Sequence, residues 1–113
     1  MAKGKFGTVY SGPTAESRAV QNREVARNNV RSAAIQLGAE IYGTGTRQGD
    51  AARANLERLV DYMMISLEEG DMGAYRASVD RFLGSLNMRQ FTQRQNEALD
   101  FFTDRFTQWR DTL

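Results

Sequence analysis

Gly4, Gly7 and Gly12 stand close together in the stretch AKGKFGTVYSG, with Phe6, Val9 and Tyr10 between and beside them. Glycines at such spacing let a backbone approach phosphate groups closely, so nucleotide chemistry is the first activity to consider. Other groups of residues also raise a chemical question. Gly43, Gly45 and Gly49 lie in YGTGTRQGD; Arg23, Arg27 and Arg31 recur at i, i+4 and i+8; and Glu68, Glu69 and Asp71 form an acidic cluster.

Through Gly4, Phe6, Gly7, Val9 and Tyr10 the first stretch resembles the glycine-rich loop of protein kinases, with Ala2 where the family has its first glycine. The resemblance implies a lysine on a following strand, an H-R-D catalytic loop and a D-F-G metal ligand. None of these is present: the only lysines are Lys3 and Lys5, there is no histidine, and D-F-G does not occur. A chain of 113 residues is also too short for two kinase lobes. The stretch therefore reads as a short glycine-containing arm. YGTGTRQGD lacks the G-x-x-x-x-G-K-[ST] spacing of a phosphate loop and follows no strand, so it reads as a connection between helices. The acidic cluster matches no calcium-loop spacing and reads as a solvated helix end. Without cysteine or histidine, disulfides and thiolate metal sites are excluded, and no metal or cofactor is expected. No general base can be set beside a nucleophile, since lysine would have to serve and the lysines lie in the arm. The chain is not expected to be an enzyme.

Fifteen basic residues against fourteen acidic ones leave a formal charge of +1, too little for a global field toward nucleic acid or membrane. The distribution is uneven: Met1 to Arg47 holds seven basic and three acidic residues, and Gln48 to Leu113 holds eight and eleven. The first half is the one that would face an anion, with Lys3, Lys5, Arg23, Arg27 and Arg31 as candidate contacts. The arginine row is expected to be a solvated flank, Glu24 being placed to pair with Arg27. No apolar run approaches the roughly 20 residues of a membrane span and no signal-peptide pattern opens the chain, so synthesis in the cytoplasm and no membrane span are expected.

These residues must be positioned by helices. Residues 1–12 form an arm that cannot make a core of its own, and residues 13–113 read as one all-α domain. Pro13 and Glu16 mark the start of a first helix, expected over about 14–42. Its apolar row runs Ala15, Ala19, Ala26, Val30, Ala33, Leu37 and Ile41, with Asn22 in the vacant place, a spacing that repeats every eleven residues and keeps to one face of a straight helix. The row is small early and bulky late, which predicts a packed C-terminal half and a protruding N-terminal half. A second helix, about 50–69, is expected to start from an Asp50 cap, to set Ala52, Leu56, Leu59, Met63 and Leu67 on one face with Val60 and Met64 beside them, and to expose Arg53, Glu57 and Asp61 on its opposite face. Gly70 and Asp71 predict a tight turn into a third helix, about 72–86, burying Met72, Tyr75, Val79, Phe82, Leu83 and Leu86. Asn87 with Gln90, and Leu86 with Phe91, predict a capped fourth helix over about 88–111 with the stripe Phe91, Gln95, Ala98, Phe102, Phe106, Trp109 and Leu113, widened by Leu99 and Phe101. The expected architecture is an antiparallel bundle of the last three helices with the long first helix laid against it.

A protein that works by making contacts remains. Phe6, Val9 and Tyr10 in the arm, Ala15, Ala19 and Ala26 on the first helix, and Phe101, about 100° off its stripe, are the candidate subunit or partner contacts. The stretch ESRAVQNREVARNNVRSAAIQLGAEIYG is similar to helices of small tailed-phage virion proteins of the internal, ejection or connector type. That resemblance implies a non-catalytic assembly component in a homo-oligomer or larger assembly, incorporated into a virion. An alternative is an adaptor, similar in its SLEEGDMGAYRASVDRFL hairpin to flagellar export chaperones, with Met63, Met64, Met72 and Met88 forming a groove for a partner helix. A third reading is a nucleic-acid binder using the arginine row and the arm.

Overall fold

The computed structural model describes residues 15–86 and 90–113. They form four helices, α1 (Ala15–Tyr42), α2 (Arg47–Glu69), α3 (Met72–Leu86) and α4 (Gln93–Arg110). The chain is all-α, and its helices pack on one another as a bundle. The arm, including Lys3, Lys5, Phe6, Val9 and Tyr10, lies outside the described residues.

The turns are set by local chemistry. α1 ends before Gly43, whose φ of 73° is left-handed, and Gly45 at 92° continues the reversal. Thr46 then caps α2: its Oγ1 accepts from the amide of Gly49 at 3.0 Å. The helix thus starts before the expected Asp50, which lies inside the first turn, where an acid suits the dipole. Gly49 is buried in that turn rather than in the connection, and a Cβ there would sit 2.9 Å from Thr46 Oγ1 and 3.0 Å from the Tyr42 carbonyl oxygen. At the other end of α2 the amide of Gly70 donates to Leu67 and that of Asp71 to Ser66, a Schellman closure with Gly70 at φ 73°. Asp71 Oδ1 accepts from the amide of Ala74 and begins α3 at once, as the hairpin reading expects.

α4 starts later than its expected start at 88. Thr92 and Gln95 form a reciprocal capping box, with Thr92 Oγ1 accepting from the Gln95 amide at 3.1 Å and Gln95 Oε1 from the Thr92 amide at 3.0 Å. Asn87 lies outside the described residues, and Gln90 is not helical. Leu113, expected to end the stripe, is exposed, because α4 stops at Arg110.

The spine of the bundle is α1, not a helix laid on a finished bundle. It packs along both α2 and α4, and α2 packs along α3. α3 meets α4 through Phe82, stacked on Phe102 with ring centroids 5.3 Å apart. The aromatic contact continues down α4, Phe102 to Phe106 at 5.9 Å and Phe106 edge-on to Trp109 at 5.4 Å. Around this line pack Val30, Ala33, Ala34 and Leu37 of α1, Leu56, Val60, Met63 and Met64 of α2, and Leu86 of α3. Met63 and Met64 fill space inside this core, whereas Met72 is exposed and Met88 lies outside the described residues. Gly38 lets α1 and α2 approach, since its Cβ would meet Arg53 Cγ at 3.3 Å.

Two expected faces are corrected. Met72 and Leu83 are exposed, because α3 is one layer thick and its buried arc is held to Ser78, Phe82 and Leu86 with Tyr75 and Val79 at the edge. Arg53, Glu57 and Asp61 are half-buried rather than solvated, because α1 covers that flank of α2 while α3 covers the other.

Candidate assembly surface

The register of α1 is fixed by polar contacts at both ends. Toward its C-terminus, Glu40 accepts from Arg94 at 2.9 Å, and the Glu40 carbonyl oxygen accepts from Gln95 Nε2 at 3.1 Å. Toward its N-terminus, Arg23 donates to the Thr112 carbonyl oxygen at 3.4 Å. α1 and α4 are therefore antiparallel, and this register sets Ala26, one of the alanines of the row, near the level of Trp109, the largest residue of the core. Trp109 is fully buried, and its indole N–H has no hydrogen-bond partner among the described residues. Against α2 the register runs from Gly38 beside Arg53 and Leu56 to Arg31 with Asp61 at 3.6 Å and Arg27 with Glu68.

Both neighbours run out at the same level. α2 ends at Glu69, one residue past the partner of Arg27, and α4 ends at Arg110, two residues before the partner of Arg23. The eight residues of α1 that precede Arg23 extend about 12 Å further, at 1.5 Å per residue. Every side chain from Ser17 to Val25 is exposed, Val20 at 55% and Val25 at 59%. This overhang is the surface the sequence singled out through its early alanines.

The expected contact residues divide. Ala19 lies on the overhang and is exposed, and Ala15 lies at its first turn. Ala26 is half-buried against the bundle's own core, so it belongs to the intramolecular contact. Phe101 is exposed at 39% beside Gln36, Glu40 and Arg94, and the Arg105 guanidinium lies 4.5 Å from its ring centroid. The fold does not bring Phe101 near the overhang: it stands on the level of Gln36, and the overhang begins beyond Arg23.

The arginine row is a set of cross-braces. Arg27 pairs with Glu68 rather than with Glu24, Arg31 faces Asp61, and Arg23 reaches the end of α4. Such partly exposed pairs orient helices more than they stabilise them, about 0–1 kcal/mol each. With Glu68 held by Arg27 and Asp71 spent on the α3 cap, the acidic cluster is accounted for by helix ends. These cross-helix partners were not visible in the sequence, because spacing along one helix says nothing about which charge a second helix presents.

The fold and surface define an all-α four-helix protein with one helix extending beyond its bundle. Compared with known proteins, the chain matches no family model, no curated protein and no solved structure. No helix among the described residues is long and apolar enough to cross a membrane.

Proposed function

We propose that the protein is a non-catalytic assembly component, joined to other subunits through the overhanging start of α1 and the arm that precedes it. The observation that carries this reading is the overhang: two turns of helix continue the row that packs the core, after both flanking helices have stopped. An isolated helix end of that length gains little from propensity alone, so a partner that covers it supplies the stabilisation it lacks. The resemblance of this same helix to those of small tailed-phage virion proteins suggests a virion as the setting.

A second reading, an adaptor that receives a partner segment, draws on Met72 and Leu83, large apolar side chains exposed along α3. The nucleic-acid reading is weaker, because Arg27 and Arg31 are already engaged by carboxylates of α2.

Absolute mass by light scattering on a sizing column, with the 260/280 nm absorbance ratio read across the peak, separates the three. A discrete multiple of the 12.7 kDa chain, free of nucleic acid, is the expected result. A single-chain mass in isolation moves the adaptor reading forward, and a nucleic-acid signature that salt removes moves the third forward.

A further inference from the structure

We infer that α3 is a detachable helix, which unfolds and leaves the bundle as a unit while α1, α2 and α4 stay packed. The inference stands on the fold alone and does not depend on the assembly reading.

α3 is the helix most lightly held. From Met72 to Ala77 none of its residues is fully buried, and Phe82 and Leu86 are the only large apolar side chains it buries. The remaining buried position is Ser78, whose hydroxyl donates back to the Ala74 carbonyl oxygen, an arrangement that weakens a helix slightly. Cross-helix ion pairs join α1 to α2 through Arg27 and Arg31, and α1 to α4 through Arg94; among the described residues none reaches α3. α3 packs along α2 and touches α4 through the Phe82–Phe102 stack. Its release therefore breaks one helix seam and one aromatic stack, and leaves α1 between α2 and α4 with the braces intact.

Two glycines point the same way. Gly73 in the first turn of α3 and Gly84 in its last turn have no left-handed φ. A Cβ at Gly84 would meet nothing within 4 Å, and one at Gly73 only Asp71 Oδ1 at 3.7 Å, an ordinary contact. The other described glycines answer to the fold, through a left-handed φ at Gly43, Gly45 and Gly70 or close neighbours at Gly38 and Gly49. Glycine weakens a helix because its backbone has the most freedom to lose, so α3 is loosened at both ends with no gain in packing. A helix of 15 residues is marginal without a neighbour, so detachment and unfolding are one event. A latch opposes it: the Tyr42 hydroxyl of α1 donates to the Ser85 carbonyl oxygen. The open form presents Phe102, an aromatic surface that is buried against Phe82 in the closed form.

Native-state amide hydrogen exchange of the full-length chain, read residue by residue by NMR, tests this. The amides of α3 are expected to exchange together, roughly 100-fold or more faster than those of Val30 to Leu37 in α1. Ala34→Gly, in the cleft between α1 and α2, separates the two routes of exchange. It should speed exchange in α1 about tenfold, through global unfolding, and leave α3 unchanged, because the contacts of Ala34 persist when α3 is off. Gly73→Ala with Gly84→Ala should slow exchange of α3 about fivefold, and Tyr42→Phe should speed it by about the same factor. The inference is overturned if α3 exchanges at the rate of α1 and follows it in Ala34→Gly, or if the glycine pair leaves α3 exchange where it was.

Discussion

From Ala26 to Ile41 the apolar row of α1 is packed between α2 and α4, whereas from Ala15 to Asn22 the same row runs on with no helix beside it among the described residues. The two halves have one spacing and one face. They differ in side-chain size and in what stands opposite. Periodicity fixes which side of a helix can be buried; burial itself is decided by how far the neighbouring helices extend, a property of α2 and α4 rather than of α1. The size of the residues along the row anticipates the outcome, because Val30 and Leu37 repay a neighbour with buried area and Ala15 and Ala19 repay it only with close approach.

The largest effect belongs to the aromatic line that the packed half covers. Phe102→Ala should cost about 3–5 kcal/mol in denaturant unfolding, because Phe102 is buried between Phe82 and Phe106 and the site cannot collapse around the void. A loss below about 1 kcal/mol would mean that the core is not organised on this line. The comparison within α1 is sharpened by a matched pair: Leu37→Ala should cost about 2–5 kcal/mol, and Val20→Ala less than about 0.5 kcal/mol. Similar losses at both positions would erase the distinction between the halves. A smaller effect tests where α2 begins. Thr46→Ala should destabilise by about 1 kcal/mol, and Asp50→Ala by less, since Thr46 holds the Gly49 amide and Asp50 contributes a first-turn charge and its pair with Arg53.

Much of the fold was legible in the sequence. The eleven-residue row gave α1 its extent and its two characters, and Gly70 followed by Asp71 gave the α2–α3 hairpin, because both are local signals. The starts of α2 and α4 were not found: the sequence reading sets the caps at Asp50 and Asn87, whereas Thr46 and Thr92 cap these helices. Thr92 with Gln95 fits the capping-box spacing and was readable; choosing it over Asn87 depends on where α3 delivers the chain. The faces of α3 were overestimated at Met72 and Leu83, because a helical wheel shows an apolar arc without showing that only one layer lies beneath it. Of the candidate surface, the overhang was anticipated from Ala15 and Ala19. The bracing of Arg27 by Glu68 and of Arg31 by Asp61 was beyond reach, since it depends on the register between two helices.

The measurement that bears most directly on the account is the light-scattering mass and melting temperature of the full-length chain carrying Ala19→Glu and Val20→Glu. Both substitutions lie on the exposed overhang. The account predicts that the unmodified chain runs as a discrete multiple of 12.7 kDa, and that the substituted chain falls to the single-chain mass with its melting temperature at or above that of an isolated bundle. A substituted chain that keeps the mass of the unmodified one, or an unmodified chain that is already a single copy, would contradict it.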